Sequence, residues 1–223
     1  MSDPDFGRVA EHLEAKVLRP AHVTCIGVGG ASTLIQNLAR VGIGHFMLMD
    51  PDIVSSTNIA TQNYFSNQIG KPKVRALSAN LKRINPAVAA TTFAGRYEEL
   101  SERRRERLWK STSIVLAMTD NHAAQMAINR DAIRHGKDAI FAMMGDGLRQ
   151  MEVTATFPEV VARGGGCHAC QVWPRVKAYR EGFTNPAVIG SHVVSADMLN
   201  AHGLCHGGFI FTLADSAFAY ACN

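Results

Sequence analysis

The stretch that most limits what this chain can become is His22-Val23-Thr24-Cys25-Ile26-Gly27-Val28-Gly29-Gly30. An apolar run that ends in glycines suits a buried parallel strand turning sharply into a helix. Ala31 to Val41 supplies the helix, with Leu34, Ile35, Leu38 and Val41 on one face and Gly42 and Gly44 to end it. Phe46, Met47, Leu48 and Met49 then form a second strand, closed by Asp50-Pro51. A βαβ unit this compact places its two strands side by side and parallel. At its first turn Gly27 permits the tight bend, and Gly29 and Gly30 let backbone approach a phosphate. The helix start adds free N–H groups and a positive dipole end. Asp50, at the end of the second strand, is placed to bind ribose hydroxyls.

The alternation continues. Val74, Leu77, Leu81 and Ile84 recur at helical spacing over Lys73 to Ile84, and Asn85-Pro86 stops that helix. Ala87 to Phe93 is a third strand and Glu98 to Lys110 a charged helix. Ser113 to Met118 is an apolar strand, Asn121 to His135 a helix and Ala139 to Met144 a further strand. Met151 to Phe157 alternates Val153, Ala155 and Phe157, as a half-exposed antiparallel strand would. The expected fold is α/β: a Rossmann-like, doubly wound, mostly parallel sheet.

The bulk numbers agree. A chain of 223 residues with 47% hydrophobic and 19% charged side chains is an ordinary globular protein, with room for one α/β domain and a shorter piece. The net charge of +4 is mild. Its densest run, Arg103, Arg104, Arg105 and Arg107, is interleaved with Glu102 and Glu106 and reads as a solvated helix face, not a nucleic-acid surface. No run approaches the roughly 18 apolar residues of a membrane helix. Met1 to Glu14 is polar, unlike a signal peptide. The expectation is a cytoplasmic protein with no membrane or nucleic-acid partner. Its cysteines, Cys25, Cys167, Cys170, Cys205 and Cys222, are odd in number, which argues against a disulfide scaffold.

The glycine turn alone does not choose its nucleotide, since a NAD-dependent dehydrogenase uses the same geometry. The motifs downstream of it are more specific. Asp50-Pro51-Asp52-Ile53-Val54 leads to Asn58-Ile59-Ala60-Thr61-Gln62, then Ile69-Gly70-Lys71-Pro72-Lys73-Val74, Ile84-Asn85-Pro86 and Thr119-Asp120-Asn121. In this order the motifs resemble the adenylation domain of the ThiF/MoeB, ubiquitin-activating-enzyme-like family, over roughly residues 20 to 180. The resemblance implies an ATP-dependent adenylyltransferase that activates the C-terminal carboxylate of a ubiquitin-like or sulfur-carrier protein, acting as a homodimer. It implies that Gly27, Gly29 and Gly30 line the ATP phosphates, Asp50 holds the ribose, Asn58 and Lys73 contact the phosphates, Gln62 belongs to the nucleotide site, and Asp120 carries Mg²⁺. Asp120, Asn58 and Lys73 would form the catalytic set. Attack of a carboxylate on a phosphate brings negative charges together, so cations and backbone donors must offset them.

Two positions depart from the family pattern. Thr61 and Gln125 stand where the family usually has arginine. Either activity is weakened, leaving a nucleotide-binding scaffold, or another arginine substitutes, such as Arg8 or Arg19 of a partner subunit. For Lys73 and Asn58 themselves, the competing readings are a solvated helix start and a loop cap.

Cys167-His168-Ala169-Cys170 is half of a four-thiolate zinc site. The resemblance implies a second C-x-x-C near the C-terminus, but only Cys205, His206 and Cys222 come later in the chain. A metal-free pair is the alternative. Cys25, inside the first strand, is core.

The last part differs in character. Asp197-Met198-Leu199-Asn200, His202-Gly203-Leu204-Cys205-His206-Gly207-Gly208 and Leu213-Ala214-Asp215 are similar to the start of hotdog-fold thioesterases of the phenylacetic-acid-degradation type. There Asp215 would be the catalytic acid or base, and Gly207 and Gly208 would polarise the thioester carbonyl. The expected organisation is therefore an adenylation domain over 1–190 and an incomplete hotdog-like segment over 191–223. An acyl-CoA thioesterase is an alternative function, although the sheet that would support Asp215 is missing from this segment.

Overall fold

The computed structural model describes residues 15–144, 150–172 and 191–193. They fall into two compact units, one up to Met118 and one from Thr119.

The first unit opens with a short helix, α1 (Ala15–Leu18), and is built on four parallel strands: β1 (His22–Ile26), β2 (His45–Met49), β3 (Ala89–Phe93) and β4 (Ile114–Ala117). β1 lies between β2 and β4, and β3 flanks β2. The register runs Val23 opposite Phe46 and Ile114, and Cys25 opposite Leu48 and Leu116. β1, with neighbours on both sides, carries no exposed residue beyond His22, β4 carries none, and Cys25 is core as expected. Helix α2 (Ser32–Arg40) buries Leu34, Ile35 and Leu38. Helix α4 (Lys73–Ile84) buries Val74, Leu77 and Leu81 and ends before Pro86 with the expected bounds. Helix α5 spans Glu102–Ser111 rather than starting at Glu98, because Tyr97–Glu99 forms a separate tight turn. Trp109 buries its ring there and donates to the Tyr97 hydroxyl at 2.7 Å. Arg103, Arg104 and Arg107 are exposed, while the Arg105 guanidinium lies 4.9 Å from the Tyr97 ring.

The second unit contains helix α6 (His122–His135), antiparallel strands β5 (Asp138–Met144) and β6 (Gln150–Thr156), the short helix α7 (Pro158–Ala162) and strand β7 (Ser191–Val193), antiparallel to β6. Asn121 starts α6 by accepting from the N–H groups of Ala123 and Ala124, and Gly136 ends it at φ 61°, a left-handed value that glycine adopts without strain. β6 departs from the half-exposed strand expected. Its polar side is buried as deeply as the apolar one, with Glu152, Thr154 and Thr156 all inside. The reason is cover. Asn129 of α6 accepts from the Thr156 hydroxyl, and His168, in the helical segment 168–172, bonds Thr154 and stacks on Phe141 of β5. Hydroxyls with such partners can be buried, so alternation of polarity did not signal exposure.

The architecture is Rossmann-like α/β, mostly parallel. No helix among the described residues is long and apolar enough to cross a membrane. The domain boundary expected at residue 190 borders a segment outside the described residues.

Candidate functional site

The turn after β1 is held from several sides. Gly27 has φ 84°, so the bend requires glycine. Its N–H donates to the Met49 carbonyl at 2.9 Å, tying the turn to the end of β2. Asp50 is 6% exposed and spends both carboxylate oxygens locally: Oδ2 accepts from the Val28 N–H at 2.8 Å and Oδ1 from the Asp52 N–H at 2.9 Å. Burial pushes its carboxyl above the ordinary range, against those two N–H groups and the Lys73 ammonium, while the Asp52 charge adds to the rise. Asp50 is thus first the brace of the glycine turn.

The remaining glycines separate into two cases. A Cβ on Gly29 would come within 3.1 Å of the Gln62 amide, so a side chain there would push that amide back by a few tenths of an ångström. A Cβ on Gly30 would meet nothing within 4 Å. Gly30 is exposed, and it sits at the start of α2, whose N-cap Ala31 has no side chain to satisfy the first-turn N–H groups. Open space over uncapped N–H groups and a helix dipole is a place for an anion.

Lys73 is 6% exposed, which removes its reading as a solvated helix start. Its Nζ lies 2.9 Å from Oδ2 of Asp52, whose side chain is itself 61% exposed. Asn58 lies in α3 (Ser56–Thr61) and is a cap: its Oδ1 accepts from the Ser55 N–H at 2.9 Å. The amide nitrogen is what it has left to offer. Gln62 closes over Gly29, and its Oε1 is buried without a hydrogen-bond partner. Gly27, Gly29, Asp50 and Gln62 are therefore gathered around one turn within one unit, with Gly30 next in the chain and Lys73 joined through Asp52.

Three further residues shape the site without having stood out in the sequence. Tyr64 is 4% exposed and donates to the Val28 carbonyl at 2.9 Å, fixing the other side of the turn. Its phenol is pushed far up by burial, then by Asp50 and Asp52, so it remains a donor. Ser32 accepts from the Asn63 N–H at 2.9 Å, and Gln36 donates to the Asn63 carbonyl at 2.9 Å. Together they clamp the segment carrying Gln62 onto α2. A buried tyrosine and a polar residue on an apolar helix face were the available signals.

Asp120 is exposed and belongs to the second unit, directly after β4 in the chain. Thr61 is exposed and its hydroxyl donates back to the Thr57 carbonyl at 3.3 Å. Gln125 is 1% exposed; its amide nitrogen donates to the carbonyls of Thr119 and Ala142, so it holds the Thr119–Asn121 turn. Arg19 is exposed, and Arg8 lies outside the described residues.

Cys167 and Cys170 come together, with sulfurs 3.6 Å apart. Burial works to raise the Cys167 thiol. Hydrogen bonds from Asn129, Cys170 and Ala169 outweigh it and hold the thiol below its ordinary value. Two thiols fit half of a tetrahedral zinc shell. The adjacent His168 turns its Nδ1 to Thr154, and no group of three or more His, Cys, Asp or Glu suited to a metal occurs among the described residues. Cys205, His206, Gly207, Gly208, Asp215 and Cys222 lie outside those residues.

Residues 5–195 match the ThiF family. An adenylyltransferase and sulfurtransferase of Emericella nidulans is 30% identical over 177 residues, covering 77% of this chain and 35% of the relative. A molybdopterin-synthase adenylyltransferase of Salmonella typhimurium is 34% identical over 116 residues, covering 51% of this chain and 45% of the relative. In fold, the chain is similar to E. coli MccB in its crystal structure with ATP, at TM-score 0.57 and 23% identity, over 78% of this chain and 52% of that one. The chain spans between about a third and a half of the length of these curated relatives.

Proposed function

The chain belongs to the ThiF family, and from that premise we propose that it binds ATP at the turn after β1 and adenylates the C-terminal carboxylate of a ubiquitin-like or sulfur-carrier protein. The observation that carries this reading is Gly30. No atom of the described residues lies within 4 Å of a Cβ placed there, and the α2 N-cap supplies no side-chain acceptor, so the helix start can take an anion.

In the reaction a carboxylate oxygen of the carrier attacks the α-phosphorus of ATP. The bond from that phosphorus to the bridging oxygen breaks, and pyrophosphate leaves. Three negative groups crowd the transition state. The chain offers the backbone donors after Gly29, the amide of Asn58 and the buried ammonium of Lys73. Lys73 suits the role because its partner Asp52 is largely exposed, so the ammonium can be shared with phosphate oxygens at small cost. Asp50 keeps the turn in shape and faces the ribose. Gln62, with an acceptor still unpartnered, lines the same site. Asp120 is the carboxylate we assign to Mg²⁺, which would neutralise phosphate charge when bound. The homodimer and the 1–190 domain limit belong to the same proposal.

A second reading, nucleotide binding without turnover, draws on Thr61 and Gln125. Neither carries charge, and Gln125 is committed to backbone carbonyls. ATP–pyrophosphate exchange separates the two. Label entering ATP only when a carrier with a free C-terminal carboxylate is present is the expected result. ATP binding with no exchange for any carrier would leave the scaffold reading standing.

A further inference from the structure

Two successive peptide planes of the glycine turn are held by two different side chains. Asp50 Oδ2 accepts from the Val28 N–H at 2.8 Å, which fixes the plane between Gly27 and Val28. The Tyr64 hydroxyl donates to the Val28 carbonyl at 2.9 Å, which fixes the plane between Val28 and Gly29. That second peptide is trans, so its C=O and N–H point in opposite directions. A hydroxyl that pins the carbonyl on one side therefore aims the Gly29 N–H toward the other. The N–H groups of Gly29 and Gly30 donate to no group among the described residues.

The hydroxyl is itself well placed to act as a fixed point. Tyr64 is buried, and its own N–H donates to the Gln62 carbonyl at 2.9 Å. The preceding residue, Asn63, is held at its N–H by Ser32 and at its carbonyl by Gln36, both on α2. Tyr64 is thus anchored to the same helix that begins just beyond Gly29 and Gly30. Burial raises its phenol, so the proton needed for donation stays in place.

We propose that Tyr64 is a positioning residue for phosphate: it holds the Val28–Gly29 peptide so that the Gly29 N–H is presented to a phosphate of the nucleotide. The inference rests on reading this turn as the ATP site. Without the hydroxyl the plane can rotate, since glycine at 29 resists rotation little. The N–H must then be ordered by the ligand, which weakens phosphate binding and leaves the nucleoside contacts alone.

Tyr64→Phe in the full chain keeps the ring and removes the donor. Calorimetric titration should show ATP weakened about fivefold or more, with adenosine binding as it does to the wild type. A tyrosine that served packing alone would leave both ligands unchanged or weaken both alike, and either result overturns the proposal. A second measurement needs no variant. Carbonyl-13C valine with 15N glycine marks the two Val–Gly pairs of the chain, Val28–Gly29 and Val41–Gly42. ATP should move the Gly29 amide proton downfield and leave Gly42, whose N–H is bonded to the Ala39 carbonyl, in place. A wild-type chain that binds ATP with the Gly29 amide unmoved would also overturn the proposal. A wild-type chain that binds no ATP would instead remove the nucleotide reading, and this inference with it.

Discussion

Around the turn after β1, buried polar atoms are satisfied mostly by backbone. One carboxylate, Asp50, takes two N–H groups, and one phenol, Tyr64, takes one carbonyl. Beneath β6 the side chains bond one another: Asn129 with Thr156 and Cys167, His168 with Thr154, and the His168 N–H with the Thr156 hydroxyl. The first arrangement leaves an open face at Gly30. In the second, side chains supply one another's partners. Substitutions in the two places should therefore separate: ligand binding is at stake in one, folding stability in the other.

The largest effect is expected at Gly30. Gly30→Val fills the space over the helix start and should weaken ATP by about 100-fold or more, near 2.8 kcal/mol. No atom of the described residues lies within 4 Å of the new Cβ, so Tm should move by only about 2 °C or less. Calorimetric titration with ATP beside a thermal scan measures both. Equal losses of affinity and stability would break the comparison.

Asn129→Ala tests the opposite corner. It strips the Thr156 hydroxyl and the Cys167 thiol of a partner inside the protein, at a cost of about 1–3 kcal/mol. ATP affinity should hold. Adding Thr156→Val should deepen the loss in urea denaturation, because the buried His168 N–H then also loses its acceptor. A double variant as stable as Asn129→Ala would mean that the Thr156 hydroxyl contributes nothing there.

Lys73→Met comes next. Its ion pair reaches an exposed carboxylate, so stability should change by less than about 1 kcal/mol. Pyrophosphate exchange should fall about tenfold or more as phosphate charge goes unopposed. Exchange at the wild-type rate would remove Lys73 from the catalytic set.

The smallest effect is a pH slope. The Asp50 carboxyl sits above the ordinary carboxylate value, burial being the main cause. The folded state then binds the proton more tightly than the unfolded chain does. This group's contribution is fully present below its unfolded pKa of about 3.9 and declines as pH rises through the raised folded value. Subtracting the stability profile of Asp50→Asn from that of the wild type should isolate a downward slope in that window. An upward slope would show that the N–H groups of Val28 and Asp52 and the Lys73 charge outweigh burial.

Legible in the order of residues were the alternation of strands and helices, the bounds of α4 and the glycine turn with its following acid. These rest on local causes: apolar spacing of 3.6 residues, proline and asparagine at helix ends, and glycine where φ is positive. Cys25 as core was legible for the same reason, and the cap at Asn58 was the competing reading of that residue. Tertiary structure alone decided which polar groups went inside. Asp50, expected at a ribose, also braces the turn, Lys73 could have been solvated but is buried, and Glu152, Thr154 and Thr156 joined the interior of β6. A polar side chain is buried when a partner arrives from elsewhere in the chain, as Asn129 does for Thr156 across 27 positions of sequence. Nothing local to Thr156 encodes that arrival, because the partner is supplied by the packing of another element.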